Sequence, residues 1–316
     1  MRIAFFGTPD FALPALQALQ EAEDMEVVLV VSQPDRKRSR GKCTPTPVKA
    51  AALQWELPVL TPESVNSPSV REELEKADPA FLVVIAYGQK IGSALLDAYV
   101  GRIVNIHGSL LPYYRGAAPI QRALLNGEET MGVSAMLINE TMDGGDVLAT
   151  ASLTTGDSDL TEITERLSRL GASLLLDTLR HYKERFDARI PQDDSHATYA
   201  EKIKKTDGQL DFSQSAKALL RRIRTVKDWP GAKLLLDGET YKIHKAHAAQ
   251  ADKKGRIGEI MQADKNGIAI QTGDGLLVVD EIQAPNKKAM ATEAFLNGHT
   301  IPVGTCITPW DTEARK

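Results

Sequence analysis

The chain has 316 residues, of which 42% are hydrophobic and 25% are charged, and its formal net charge is −4. These values are ordinary for a globular protein with room for two domains, so the core needs no disulfide or metal to stabilise it. The two cysteines, Cys43 and Cys306, lie far apart without a partner spacing, which argues against a zinc site and against a secreted disulfide scaffold.

The sequence shows no pattern of a signal peptide or of a membrane span. Its first residues lead directly into a predicted strand, without a charged segment and a long apolar segment before it. The longest apolar runs, at residues 27–31 and 81–86, are too short to cross a bilayer. We therefore expect a cytoplasmic protein.

Charge is distributed unevenly along the chain. Residues 1–199 hold 19 basic and 27 acidic residues, a net charge of −8, whereas residues 200–316 hold 19 basic and 15 acidic residues, a net charge of +4. A basic second part favours an anionic partner there, although an ordinary fluctuation in composition would give the same counts.

The first part of the chain alternates predicted strands and helices. Short apolar runs, often β-branched, predict strands at residues 2–6, 26–31, 80–86 and 103–107. Strands of this kind, separated by helices, predict a doubly wound α/β sheet of parallel strands. Ligands of such sheets bind beyond the carboxyl ends of the strands, so functional residues are expected directly after each strand.

The second part has a different pattern. A predicted helix over residues 160–182 closes the first domain, and the polar segment 189–206 is interpreted as a linker. After a basic helix at residues 216–227, Asp237-Gly238, Asn266-Gly267 and Asp274-Gly275 separate short alternating runs and predict hairpins. The expected organisation is a catalytic domain at 1–188, a linker at 189–206 and a small antiparallel barrel at 207–312.

The turn after the first strand argues against a nicotinamide enzyme. The dinucleotide fingerprint needs three glycines in a G-x-G-x-x-G spacing at this position. Here the turn reads Phe6-Gly7-Thr8-Pro9-Asp10, so only Gly7 is present.

The most informative segment is Asn105-Ile106-His107-Gly108-Ser109-Leu110-Leu111-Pro112, which completes a predicted strand and enters a loop. Asn105 and His107 are two residues apart, so on a strand their side chains point to the same side. An amide and an imidazole at the carboxyl end of a parallel sheet suit a reaction that builds negative charge on a carbonyl oxygen. A polar strand end that merely caps a loop is the alternative, and the Asn–His pair before a proline-fixed loop favours the site.

A second motif, Met142-Asp143-Gly144-Gly145-Asp146, follows a predicted strand at residues 133–138. Acidic residues with glycines form turns or metal loops, but the remaining ligands of a calcium loop are missing, so no metal is expected. A simple turn and a carboxylate that orients a histidine both fit this segment.

These two motifs resemble the signature of the 10-formyltetrahydrofolate-dependent formyltransferases. Further strings, in order over nearly the whole chain, resemble those of the methionyl-tRNA formyltransferases. They lie at residues 6–11, 33–36, 86–88, 115–121, 198–202 and 229–232.

The resemblance implies a Rossmann-like domain followed by an OB-like barrel, with Asn105, His107 and Asp143 as the catalytic trio. The implied reaction moves a formyl group from 10-formyltetrahydrofolate to the α-amine of methionine on initiator methionyl-tRNA, without a metal, in a protein expected to be a monomer. Asn105 and His107 would donate to the oxyanion, while Asp143 would orient His107 and assist proton removal. The implied folate site includes Ser109, Leu110, Leu111 and Pro112.

Positive charge for the tRNA is expected in two places. The basic run at residues 36–42 lies at the carboxyl end of a strand and resembles the tRNA-contacting loop of the family. Its candidate contacts are Arg36, Arg38, Arg40 and Lys42. Lys217, Arg221 and Arg224 are spaced to share one face of the basic helix, where a phosphate contact and a solvated face remain equally open.

Four other functions share parts of this pattern. A formyltransferase of the purine pathway would share the trio but would not need a basic barrel, and a sugar-nucleotide formyltransferase should lack the basic run at residues 36–42. A folate-binding hydrolase would admit water to the same oxyanion site. A non-catalytic RNA-binding protein is disfavoured because Asn105, His107 and Asp143 are intact.

Overall fold

The computed structural model describes residues 1–37, 43–250 and 255–310. Contacts divide the chain into two compact units: Met1–Ile120 with Glu129–Glu201, and Gln121–Glu128 with Lys202–Lys316. None of the helices in the described ranges combines the length and the apolar character that crossing a bilayer requires.

The first unit contains most of the regular structure before residue 201. Its elements are β1 (Arg2–Gly7), α1 (Leu13–Glu21), β2 (Glu26–Val31), β3 (Arg36–Lys37), β4 (Cys43–Thr44), α2 (Pro47–Gln54), β5 (Val59–Leu60), α3 (Pro68–Ala77), β6 (Phe81–Ile85), α4 (Ser93–Ala98), β7 (Ile103–His107), β8 (Arg115–Gly116), α5 (Pro119–Asn126), β9 (Thr130–Leu137), β10 (Val147–Thr154), α6 (Leu160–Arg180), α7 (Tyr182–Asp187) and β11 (Tyr199–Ala200). Helix α5 runs from the first unit into the second.

The first unit is built on a seven-stranded sheet with the strand order β10-β9-β7-β6-β1-β2-β5. The five neighbouring strands β7, β6, β1, β2 and β5 are parallel, as expected. Strand β9 pairs antiparallel with β7, and β10 pairs antiparallel with β9. Strand β10 follows β9 through the loop at residues 138–146 without a helical crossover, and a direct connection of that kind joins antiparallel strands.

Helix α6 packs mainly against β9 and β10, and it also comes close to β7. Helix α6 begins with a capping box between Asp159 and Glu162 and buries one apolar face. A Cβ added to Gly171 of this helix would lie 2.9 Å from the side chain of Ile106. Only a residue without a side chain permits so close an approach, so Gly171 fixes the face of β7 that α6 covers.

The expected linker is largely part of the first unit. Ile190 exchanges backbone hydrogen bonds with Val147, and β11 pairs in parallel with β8. The first unit therefore extends to residue 201, beyond the expected boundary at 188, because backbone groups of this segment pair with strands of that unit.

The second unit contains one antiparallel sheet and two short packing helices. Its elements are α8 (Ala216–Val226), β12 (Ala232–Leu236), β13 (Glu239–Ala249), β14 (Ile260–Asp264), β15 (Gly267–Gln271), β16 (Leu276–Gln283), β17 (Met290–Ala291) and α9 (Thr292–Leu296). The strand order is β12-β13-β16-β15-β14, with β17 beside β16. The three predicted hairpins are confirmed, since each Gly-containing turn joins a pair of antiparallel strands.

The sheet of the second unit is closed by the segment at residues 304–308. The Thr308 N–H donates to the carbonyl of Leu235 in β12, and the Ile260 N–H in β14 donates to the carbonyl of Thr305, each at 2.8 Å. Because β12 and β14 are the two ends of the strand order, this segment bridges the two edge strands, as in the small barrel that the turn pattern predicts. Its interior is apolar and includes Leu219, Ile260, Ile270 and Val279.

Candidate active site

Asn105 and His107 lie side by side at the carboxyl end of β7. Ile106 between them faces α6, so the alternation of the strand places Asn105 and His107 on the opposite face. Both are buried, with relative exposures of 9% and 7%. Strand alternation thus directs an amide and an imidazole to one side of the sheet, as the spacing predicts.

His107 is held between a backbone carbonyl and a carboxylate. Its Nε2 lies 3.0 Å from the carbonyl oxygen of Tyr114, and its Nδ1 lies 3.7 Å from Oδ1 of Asp143. A carbonyl oxygen can only accept, so Nε2 carries a hydrogen in this arrangement. The separation from Asp143 is too long for a direct hydrogen bond but leaves the carboxylate as the nearest charge to the ring.

The carboxylate of Asp143 is itself fixed by the backbone. Its Oδ2 accepts a hydrogen bond from the Gly116 N–H at 2.8 Å, which leaves Oδ1 directed toward His107. Asp143 has a φ of 52° and Tyr114 a φ of 58°, so both carry a side chain in the left-handed region. Such conformations cost about 1–3 kcal/mol each and persist only where surrounding contacts enforce them.

The side-chain amide of Asn105 differs from its neighbours in its bonding. Among the described residues, none forms a hydrogen bond with it, whereas both ring nitrogens of His107 face protein oxygens. Asn105 therefore presents donors that are not used within the fold, next to the His107–Asp143 pair. An unused donor at this edge of a parallel sheet can bind an oxygen that gains negative charge.

The segment Ser109–Pro112 forms the wall after His107. The hydroxyl of Ser109 donates to the Tyr113 carbonyl at 2.6 Å. Leu111 packs against Met136 and Val147, while Leu110 and Pro112 are half-buried. Ser109 and Leu111 thus support the loop from inside, and Leu110 and Pro112 offer the accessible apolar surface of this segment.

The loops after β1 and β6 lie on the same carboxyl edge. The hydroxyl of Thr8 donates to the Tyr87 carbonyl at 2.9 Å, which joins the two loops. Ala86 and Gly88 have φ values of 47° and 91°, so the chain turns sharply around Tyr87. Burial raises the pKa of the Tyr87 phenol to about 12, so this side chain stays neutral at physiological pH.

The predicted tRNA contacts are described only in part. Arg38, Arg40 and Lys42 lie outside the described residues, and for Arg36 the structure describes the backbone, which pairs with Thr44. Arg221 and Arg222 lie in α8. The guanidinium carbon of Arg221 would lie 2.5 Å from a Cβ added to Gly127, and Arg222 donates to the Asp207 carbonyl at 2.8 Å. These two arginines therefore pack within the second unit.

Several residues that build the site carried no chemical signal in the sequence. Arg115 and Gln192 hydrogen-bond each other behind Asp143, and the Ser134 hydroxyl bridges the loop after His107. Gln192 lies in a segment interpreted as a linker, so only its contacts reveal its place. Within the ranges that the structure describes, no group of three or more His, Cys, Asp or Glu residues is arranged to hold a metal ion.

Comparison with known proteins gives matches along the chain. The formyl transferase family model matches residues 1–179, and the model of the formyl transferase C-terminal domain matches residues 202–300. The methionyl-tRNA formyltransferase of Finegoldia magna is 37% identical over 97% of this chain and 99% of its own length. That of Sulfurihydrogenibium sp. is 41% identical over 96% of this chain and 99% of its own length.

The chain belongs to the methionyl-tRNA formyltransferase family.

Solved structures outside this family share its fold. A sugar 3N-formyl transferase, WlaRD, in the presence of dTDP and 5-N-formyl-THF, has a TM-score of 0.63 at 18% identity, and the match covers 91% of this chain and 99% of that one. HypX from Aquifex aeolicus in complex with tetrahydrofolic acid has a TM-score of 0.60 at 19% identity. The match covers 94% of this chain and 47% of HypX, so the chain spans about half the length of that protein. At these identities the likeness shows the fold alone.

Proposed function

We propose that the protein transfers a formyl group from 10-formyltetrahydrofolate to the α-amine of methionine on initiator methionyl-tRNA. The observation that carries the proposal is the unused amide of Asn105 beside the His107–Asp143 pair, at the carboxyl edge of the sheet. Full-length relatives at 37% and 41% identity, both called methionyl-tRNA formyltransferases, favour this acceptor over an amino sugar or a purine precursor.

The reaction exchanges one amide bond for another. The neutral α-amine attacks the formyl carbon, a new N–C bond forms, and the bond between that carbon and N10 of the folate breaks. One proton leaves the attacking nitrogen and one arrives at N10, so no oxidant, metal or further reactant is required. Because α-amines titrate near pH 8, a useful fraction of the amine is neutral at physiological pH.

In this proposal Asn105 and His107 stabilise the oxyanion of the tetrahedral intermediate. The Asn105 amide can bind the oxygen without giving up a hydrogen bond to any described residue, whereas His107 must exchange its bond to the Tyr114 carbonyl for one to the substrate. Asp143, with Oδ2 held by the Gly116 N–H, offers Oδ1 to orient the ring and to receive the proton that leaves the amine.

Leu110 and Pro112 would contact the folate, while Ser109 and Leu111 hold the loop in place. The first unit would perform the chemistry, and Arg36, Arg38, Arg40 and Lys42 together with the basic second part would bind the tRNA. We propose a monomeric, metal-independent enzyme of the cytoplasm, where charged initiator tRNA is found.

The test is a transfer assay with labelled 10-formyltetrahydrofolate and three acceptors: methionyl-tRNA, free methionine and an amino-sugar nucleotide. We expect efficient transfer to methionyl-tRNA alone. Asn105→Asp keeps the size of the side chain but removes its donors, so turnover should fall on the order of a hundredfold. His107→Ala should lower turnover comparably.

Circular dichroism of each variant controls for folding. Near-normal turnover by a folded Asn105→Asp would show that the amide does not bind the oxyanion. Preferential transfer to the amino sugar would replace the proposed acceptor.

A further inference from the structure

Among the side chains that hold the loop carrying Asp143, Gln192 comes from a distant part of the chain. The Nε2 group of Gln192 donates to the carbonyl of Asp143 at 2.8 Å and to the carbonyl of Gly145 at 2.7 Å. Both hydrogens of this amide are thus used on two carbonyls of a single loop. A carboxamide is the neutral side chain that can make this pair of contacts and still offer an acceptor.

The other end of the Gln192 amide is fixed by Arg115. The Nε of Arg115 donates to Oε1 of Gln192 at 3.0 Å, and its Nη1 donates to Asp194 at 2.8 Å. An arginine can only donate and a carbonyl can only accept, so the amide has one possible orientation. Arg115 is 1% exposed, which keeps this arrangement out of water and limits its freedom to rearrange.

The loop itself has little freedom to adjust. Asp143 occupies the left-handed region with a φ of 52°, and a Cβ added to Gly145 would collide with the carbonyl of Leu137. Gly116, the residue after Arg115, donates its N–H to Oδ2 of Asp143. The contacts form a closed ring: the Arg115 side chain holds Gln192, Gln192 holds the backbone of Asp143, and the backbone beside Arg115 holds the Asp143 carboxylate.

We propose that Gln192 is a positioning residue that sets the carboxylate of Asp143 against His107. The inference rests on the proposed function, because it assigns Gln192 a part in the same reaction. Gln192 reaches the reacting groups only through the loop backbone, so its loss should slow the chemical step and leave substrate binding intact. Misplacing a reacting group by about 1 Å can cost on the order of a hundredfold in rate.

The experiment compares two variants in the transfer assay. Gln192→Glu keeps the length of the side chain and the acceptor for Arg115, but removes the paired donors and places an oxygen against two carbonyls. We expect kcat to fall about tenfold or more while KM for 10-formyltetrahydrofolate and for methionyl-tRNA stays within about twofold. Asp194→Asn, the matched control, keeps an acceptor for Arg115 and should leave kcat within about twofold.

Pairing with Asp143 separates positioning from a general structural role. In an Asp143→Asn background, Gln192→Glu should add less than about twofold, because the group that it positions is already gone. The proposal is overturned if Gln192→Glu lowers kcat as much in the Asp143→Asn background as it does alone. Provided that the wild type is active, it is also overturned if Gln192→Glu alone raises KM as much as it lowers kcat, or leaves kcat unchanged.

A spectroscopic measurement tests the same inference without the reaction. The ring ¹⁵N resonances of His107 should shift in Gln192→Glu and remain in place in Asp194→Asn, because only the former moves the carboxylate beside the ring. Unshifted resonances in both variants would contradict positioning. If the wild type is inactive in the transfer assay but Gln192→Glu still shifts these resonances, the proposed function is rejected and the positioning of Asp143 by Gln192 is not.

Discussion

At the scale of single residues, the site combines one unused donor with two groups that the fold already holds. The Asn105 amide forms no hydrogen bond with any described residue that must break before it binds a substrate oxygen, whereas Nε2 of His107 must leave the Tyr114 carbonyl. A proton that reaches Nδ1 of His107 would face Oδ1 of Asp143 at 3.7 Å. This arrangement favours Asn105 as the donor present from the start and His107 as the group that responds to charge.

Ser134 offers a residue-scale prediction for the loop after His107. Its buried hydroxyl donates to the Ser109 carbonyl at 2.7 Å and accepts from the Leu111 N–H at 3.0 Å. Ser134→Ala leaves both backbone groups without a partner, so the free energy of unfolding should fall by about 1–3 kcal/mol. If residues 109–112 contact the folate, KM for 10-formyltetrahydrofolate should also rise.

Urea denaturation and steady-state kinetics measure these two effects of Ser134→Ala. Ser173→Ala, at an exposed position of α6, serves as the control and should change neither. A rise of KM is the informative result, and a loss of stability with unchanged KM would remove this loop from the folate site.

At the scale of elements, the start of the second unit is tied together by one acidic side chain. Asp207 accepts hydrogen bonds from Arg122 at 2.8 and 3.0 Å and from the Lys204 N–H at 2.6 Å. Burial acts to raise the pKa of this carboxyl, but these hydrogen bonds and the charges of Arg122 and Arg222 together hold it below its usual value. The carboxylate thereby links α5 to the turn that precedes α8.

This lowered pKa gives a prediction with a defined sign. A carboxyl whose pKa is lower in the folded state stabilises the fold above its unfolded pKa of about 3.9, and this contribution is lost as the pH falls through the folded value. Asp207→Asn should therefore lower the free energy of unfolding at pH 7, by about 1–3 kcal/mol. The difference from the wild type should shrink as the pH falls below about 4.

Urea denaturation between pH 7 and pH 3 measures this difference for Asp207→Asn. Glu293→Gln, which neutralises an exposed carboxylate of α9, is the control and should be nearly silent. A pH-independent difference would mean that the contacts of Asp207 act through shape and not through charge.

The elements also show where sequence reasoning is sufficient and where it is not. Strands β1, β2, β6 and β7 were predictable because they are short apolar runs buried on both faces, and the barrel hairpins because Asp-Gly and Asn-Gly demand specific turns. The position of Gln192 was not, since residues 189–201 are polar and without a period. Its contact with Arg115 spans 77 positions of sequence, and such a pairing follows only from the fold.

The polarity of the sheet illustrates the same limit. The Asp143 motif follows β9, but β9 is antiparallel to β7, so its end lies at the other edge of the sheet. The loop at residues 138–146 has to return along the sheet before Asp143 can approach His107. The sequence suggested His107 and Asp143 as a candidate pair, and their side chains lie 3.7 Å apart. The path between them depended on strand direction, which the hydrophobic pattern does not encode.

At the scale of the whole molecule, charge is divided between the parts of the chain, with a net of −8 over residues 1–199 and +4 over residues 200–316. The basic run at residues 36–42 is an exception within the acidic part. Most of that part would repel an anionic tRNA, and we propose that these cations offset this repulsion. Charge at this one place should then affect tRNA and leave a small acceptor unaffected.

Replacing Arg36, Arg40 and Lys42 together by Gln should weaken use of methionyl-tRNA and reduce the slope of log affinity against log salt by about one for each lost phosphate contact. The control replaces Arg2, Lys76 and Arg102, three exposed cations at the opposite, amino-terminal edge of the sheet, by Gln. It makes the same change in net charge, so any effect of overall charge appears in both triple variants.

Transfer to a small amine acceptor, measured in parallel under forcing concentrations, distinguishes the remaining explanations. A solvated basic run predicts no loss with either acceptor, and a structural role predicts equal loss with both. Binding of the acceptor end predicts a loss with tRNA alone, a shallower salt dependence and wild-type behaviour of the control. In the proposed mechanism Asn105, His107 and Asp143 would act on both acceptors alike, so only contacts outside the reacting centre would produce that selective pattern.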